Sequence, residues 1–334
     1  MGVFFSLAML LLALAPAVPA HAEPADWSLR LRNTLFYTDD VALFSATRRL
    51  SLREDPTQPA LDTTLTGQGG DMVYEPDVKV RKVFTTPLGR AEAAARAQGF
   101  IYAVNPAFNH GSYDFQVSQE FSTTRLIRLR YYYAPNQLLG MNEQRGSAAP
   151  ASAEERVSSQ IWSVNLEQRV ADDWNVRFLA RYGRRFYNHA FAERDNYFWT
   201  VGPHLEWRLS SRVELTLGYH YERGLANGRK QPALEDDTSY VNHYFSVEVR
   251  AQLMKQIFLE TGLHYERNNW TSGLVGDERR GGHEDIFQGE LLLVYEPIDR
   301  IRLYTGVQRS RRKQSFESDS VGNLNVGAGA SVFF

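Results

Sequence analysis

Residues 321–334, VGNLNVGAGASVFF, alternate with period two to the last position. Leu324, Val326, Ala328, Ala330, Val332 and Phe334 make one apolar face. Asn323, Asn325, Gly327, Gly329 and Ser331 make the other. A helix would repeat its apolar positions every three or four residues, so this run is a strand with one apolar side. Its meaning depends on whether the preceding sequence repeats the pattern.

It does. Residues 300–312, 283–296, 256–268, 239–253, 212–224 and 197–209 alternate in the same way. Residues 174–188 and 157–170 form a hairpin about Ala171, Asp172 and Asp173. Farther back, Ile127, Leu129, Tyr131 and Tyr133 oppose Arg128, Arg130 and Tyr132. Residues 111–121, 90–104, 72–85 and 41–53 complete the set. The alanine-rich stretch 90–104 reads as a strand with Ala91, Ala93, Ala95 and Ala97 outward. Residues 138–156, rich in Gly, Ala, Ser and Pro, read as a long loop. Residues 27–37 also alternate but break at Thr38-Asp39-Asp40, so 23–40 are assigned to a lead-in and 41–334 to the β domain.

The connections are short and long in turn. Ser210-Ser211, Met254-Lys255 and Pro297-Ile298-Asp299 are short; residues 225–238 and 269–282 are long. Together with the terminal Phe334 this resembles bacterial outer-membrane β-barrels, which have short periplasmic turns, longer extracellular loops and an even strand number. The resemblance implies an all-β fold, a transmembrane antiparallel up-and-down β-barrel of about fourteen strands. It also implies that Phe334, Val332 and Ala330 carry the signal for the barrel-insertion machinery, and that the site of residence is the cell outer membrane of a Gram-negative bacterium.

The aromatic content supports that reading. Tyr, Phe and Trp make 13% of the chain. Trp174, Trp207 and Tyr295 fall near short turns; Tyr131, Tyr133, Trp162, Trp199, Tyr219, Tyr221 and Tyr265 fall toward long loops. Two belts are what the two interfaces of a bilayer select. A mean hydropathy of -0.40 is compatible, because lipid-facing and lumen-facing residues average out along each strand. Residues 1–22 lack Lys, Arg, Asp and Glu, are apolar over 3–18 and end Ala-His-Ala, which reads as a signal peptide. The chain has no cysteine, which excludes a disulfide framework and thiolate chemistry. A net charge of -2 argues against nucleic acid as a partner.

With the apolar faces on lipid, the other faces line a lumen. Strands five to seven place Arg128, Arg130, Arg169, Arg177, Arg181 and Arg185 there. Strands nine to twelve place Glu214, Glu222, Glu248, Glu260, Glu266 and Glu290 there. Opposed charges in a narrow aqueous space orient dipolar solutes, as in porin constrictions. The sequence therefore predicts an outer-membrane channel for passive diffusion of small polar solutes. The alternatives are an export barrel working with an envelope partner and a closed structural or interaction barrel.

Three inward His-x-Glu pairs, His204/Glu206, His220/Glu222 and His264/Glu266, add titratable groups. His220 and His264, with Tyr244 between them, are candidates for pH sensing or for a divalent metal. No cofactor is expected. Two outer-membrane enzyme families are weighed. The phospholipase family's Ser-Asn-Gly segment is missing, and Asp236-Asp237 and His283-Glu284-Asp285 read as solvated loop acids rather than a protease site, so no enzyme is expected. The run Arg309-Ser310-Arg311-Arg312-Lys313 is a candidate contact for lipopolysaccharide phosphates.

Overall fold

The structure is a computed structural model that describes residues 26–42, 69–144 and 151–334. Its strands are β1 (Trp27–Thr38), β2 (Asp71–Thr86), β3 (Gly89–Tyr102), β4 (His110–Ser122), β5 (Arg125–Gln144), β6 (Ala151–Ala171) and β7 (Trp174–Tyr187). They continue as β8 (Asn196–Ser210), β9 (Val213–Ala226), β10 (Tyr240–Met254), β11 (Ile257–Trp270), β12 (His283–Ile298), β13 (Ile301–Gln314) and β14 (Val321–Phe333). Each pairs antiparallel with its sequence neighbours, and β1 pairs with β14 to close the barrel. No described helix is long and apolar enough to cross a membrane.

The seam shows why β1 belongs to the wall and not to a lead-in. Its register with β14 runs from Arg30 opposite Phe333 to Thr38 opposite Asn325. Leu29 and Phe334 exchange both backbone hydrogen bonds, at 3.1 and 2.9 Å. At the other end the Asp39 carboxylate accepts from Leu324 N–H at 2.7 Å and from Asn323 Nδ2 at 2.8 Å. The Thr38-Asp39-Asp40 break is therefore the top of the first strand, and the barrel begins at Trp27 rather than residue 41. Val41 and Ala42 are helical and buried; residues 43–53 of the expected strand, and the expected signal peptide, lie outside the described residues.

A second correction concerns residues 138–156. β5 runs on to Gln144 and β6 starts at Ala151, paired through Gln137–Val157 and Gln144–Ala151. Asn136 (φ 49°) and Gly140 (φ 138°) kink β5 where its register shifts. Two bulges break the period-two pattern there, so the extension reads as loop in sequence.

The faces are inverted relative to a water-soluble protein. Leu263 (66% exposed), Phe287 (55%) and Phe115 (54%) point outward. Glu155, Asp236, Arg279 and Arg185 are buried. Outward aromatics form a girdle by cross-strand register: Phe115–Tyr131–Trp162–Tyr182–Trp199 on β4 to β8, and Tyr219–Phe245–Tyr265–Phe287 on β9 to β12. Near the short turns Trp174 stacks on Trp207 with centroids 4.8 Å apart, and Lys82 Nζ lies 4.9 Å from the Trp27 ring. Exposed hydrocarbon on this scale is stable only against lipid.

Candidate functional site: the lumen and its mouth

The strand period sends every second side chain inward. The predicted basic residues all lie on that inner wall, and most meet an acid on an adjacent strand. Arg128 pairs with Glu167 at 2.6 Å, Arg130 with Asp114, Arg177 with Glu206 at 3.0 Å and Arg181 with Glu222 at 3.9 Å. Arg185 stacks over Phe198 at 4.8 Å. Arg169 stands at the short-turn mouth, where Asp172, Asp173 and Glu214 help line a basin of about 310 Å3.

The predicted acids are held in different ways. Glu222 accepts from Thr200 Oγ1 at 2.5 Å and Tyr240 Oη at 2.6 Å. Arg302 Nη2 donates to both Glu260 oxygens at 2.9 Å, Asn242 donates to Glu266 at 2.6 Å and Gln308 to Glu290 at 3.4 Å. Glu248 borders a lumenal cavity. Local pairing thus cancels much of the field expected between a basic arc on β5–β7 and an acidic arc on β9–β12. Tyr132, Ile161 and Phe198 pack together on the inner side of the same sector and fill it.

The histidines form a chain along the inner wall. His204 Nε2 and His220 Nε2 are 2.5 Å apart, His220 packs on Tyr244 with centroids 5.2 Å apart, and Tyr244 Oη meets His264 Nδ1 at 2.8 Å. His264 Nε2 lies 3.7 Å from Glu290. Among the described residues no three of His, Asp and Glu converge in a metal-holding group. His220 Nε2 is taken up by the contact with His204 Nε2, and Tyr244 stands between His220 and His264, so the structure does not bring His220, Tyr244 and His264 together as a three-ligand group. Sequence reading missed His204 as a partner because it stands opposite Gly218, one diagonal from His220.

The richest cluster that the sequence did not reveal lies on β1 to β3. Asp77 accepts from Arg30 at 3.3 Å, Arg32 at 3.1 Å and Arg96 at 2.6 Å. Glu75 accepts from Arg32 at 2.7 Å and Gln98 at 2.6 Å. Assigning β1 to a lead-in hid it.

Long loops fold over the opposite end of the barrel. Arg194, in the loop after β7, donates to Glu155 on β6 at 2.9 and 3.0 Å and to Asp236, in the loop after β9, at 2.8 Å. Arg279, in the loop after β11, donates to the other Asp236 oxygen at 2.9 Å. Asp237 N–H donates to Asp277 at 3.0 Å. This chain of buried ion pairs ties β6 to three loops. On the β1–β5 side Val41, Phe100, Tyr102, Phe108 and Leu138 form an apolar cluster. Asp236 and Asp237 are thus structural loop anchors rather than solvated acids. His283 lies 3.6 Å from Asp285 at the rim.

No protein-family model and no curated protein matches the sequence. Comparison with solved structures returns several bacterial outer-membrane proteins. OmpTdeltaL8, a loop L8 deletion mutant of OmpT, an outer membrane protein of Vibrio cholerae, is 10% identical, with a TM-score of 0.47 over 92% of this chain and 98% of that one. The outer membrane channel DcaP of Acinetobacter baumannii is 9% identical, with a TM-score of 0.46 over 92% and 96%. The outer membrane protein opdK from Pseudomonas aeruginosa is 10% identical, with a TM-score of 0.44 over 92% and 99%. This chain is a closed β-barrel of the transmembrane type. Its own apolar girdle and polar interior carry that statement.

Proposed function

We propose that the barrel is a non-enzymatic channel for small polar solutes, passing them by diffusion through its charged lumen. The observation that carries this reading is the cavity of about 390 Å3 inside the wall, lined by Arg30, Arg32, Arg96, Glu248, Glu260 and Glu290 among others. Fourteen strands enclose more space than side chains readily fill. The buried loops at the extracellular end favour a gated channel over a permanently open one. They equally favour the second reading, a closed barrel acting through its loops.

Single-channel conductance of the purified protein in planar bilayers separates the two. Steady conductance with weak ion preference supports the channel; a folded but silent protein moves the function to the loops. The chain His204–His220–Tyr244–His264 runs along the same inner wall, and the conductance of His220→Gln and His264→Gln tests its part in gating. At the outer rim Arg309, Arg311 and Lys313 are exposed, whereas Arg312 turns inward to Glu284. The three outward cations suit lipopolysaccharide phosphates, and β14 with Phe334 suits recognition by the insertion machinery.

A further inference from the structure

A groove of about 1030 Å3 crosses the outer, apolar face of the wall, from Trp27 and Lys82 at one end to Tyr182 at the other. From β2 to β7 it covers five strand spacings, about 24 Å. Ala93 and Ala95 on β3 form its floor, because their register neighbours are larger: Val80 and Lys82 on β2, Phe115 and Val117 on β4. Lys82 is the odd member of this surface. It shares the outward face of β2 with the exposed side chains of Val78, Val80 and Phe84. Its ammonium lies 4.9 Å from the Trp27 ring, and among the described residues no carboxylate forms an ion pair with it. In the half of the wall nearer the short turns, no outward strand position among the described residues is Asp or Glu. A charge on a lipid-facing strand costs stability, the more so toward the middle of the bilayer.

We propose that the groove holds one glycerophospholipid molecule, with its phosphate on Lys82 and an acyl chain laid over Ala93 and Ala95. The phosphodiester supplies the anion that the wall lacks at that level, and the ammonium donates charge-assisted hydrogen bonds to its oxygens. The long lysine stem stays on apolar surface while its head reaches the level of the lipid headgroups. The acyl chain fills a depression whose lining would otherwise lose van der Waals contacts. A second copy of the chain, standing upright in the same membrane, presents leucines, valines and aromatics at the level of Lys82 and no strand carboxylate, so charge favours a lipid over a copy. The groove's charged end lies near the short turns, away from Arg309, Arg311 and Lys313 at the long-loop rim, and is separate from the lipopolysaccharide contact that suits those residues. The assignment rests on the transmembrane barrel and holds whether or not the lumen conducts.

The test is native mass spectrometry of the detergent-purified protein, titrated with dioleoylphosphatidylglycerol and, separately, with dioleoylglycerol, which has the same chains and no phosphate. A complex with one lipid is expected at several-fold lower concentration of phosphatidylglycerol than of dioleoylglycerol. Lys82→Gln should bring phosphatidylglycerol down to the dioleoylglycerol level, and Lys82→Arg should keep the preference. Ala95→Trp should fill the groove and weaken both lipids. The variants are compared at the β-sheet circular dichroism of wild type. Equal binding of the two lipids, or binding of neither, overturns the site. A preference that survives Lys82→Gln, or binding that survives Ala95→Trp, overturns it as well. A mass of two or more chains with no lipid assigns the face to contact between copies and overturns the lipid site.

Discussion

Tyr304 shows how single positions shape the lumen. Its side chain on β13 reaches across β14 to Thr34 on β1, with Oη 2.5 Å from Thr34 Oγ1. The reach is possible because Gly329 lies beneath it: a Cβ there would come within 2.5 Å of both the Tyr304 hydroxyl and the Asn33 carbonyl oxygen. Tyr304→Phe should cost about 0.5–1.5 kcal/mol, the net worth of one hydrogen bond. Gly329→Val should cost about 1–3 kcal/mol through overpacking. Denaturant unfolding in detergent reads both, and the glycine variant should be the weaker of the two. Period-two alternation in the sequence places Gly329 on the polar face correctly. It does not show that the glycine is there to let a tyrosine pass over it, because Tyr304 and Thr34 are neighbours only across the closed seam.

At the scale of elements, the loop after β7 is held in place by buried charge. Glu193, next to Arg194 in a short 3-10 segment, is itself buried. Burial first, and then the nearby carboxylates of Asp236 and Glu155, raise its pKa above the ordinary 4.5, against the opposing pull of its own backbone hydrogen bond and of Arg194. A raised carboxyl pKa makes ionisation costly in the packed loop. Below about pH 4.5 the group is protonated whether the loop is packed or loose, and it contributes no difference. As pH rises through the raised value, the loose form ionises more readily and packing weakens. Glu193→Gln should therefore increase hydrogen-exchange protection of residues 188–195 at pH 7, with the gain shrinking toward pH 4.5. A gain that grows on acidification would contradict this account. The strand elements themselves are largely legible from alternation. The two exceptions, β1 and the upper part of β5–β6, fail for identifiable reasons. In the first, a polar Thr-Asp-Asp corner looks like a boundary. In the second, Asn136 and Gly140 introduce bulges that erase the period.

For the whole molecule, the ion-pair chain from Glu155 through Arg194 and Asp236 to Arg279 is the feature most able to control passage. Arg194→Ala leaves two buried carboxylates without one of their cations, and breaking a buried pair in this way costs about 3–5 kcal/mol. Because the chain ties loops rather than neighbouring strands, the loss should loosen the long-loop mouth while the barrel wall persists. The expected outcome is a higher open probability or conductance in planar bilayers, with the β-sheet circular dichroism of wild type. Unchanged conductance in a channel-active protein would show that these loops do not gate it.

Composition, alternation and the rhythm of turn lengths by themselves determined an antiparallel barrel in a membrane, the lipid-facing side of its strands and the sign of most lumenal charges. These follow from local rules: a strand has a period of two, and a bilayer demands one apolar face. Only the tertiary structure decided which charges meet. Pairing of β1 with β2 placed Arg30 and Arg32 beside Asp77, and inward folding of three loops gathered Glu155, Arg194, Asp236 and Arg279 from a stretch of more than a hundred residues. Lumenal electrostatics is a property of neighbours across the wall, and that neighbourhood exists only once the strands have paired in register and the loops have folded inward.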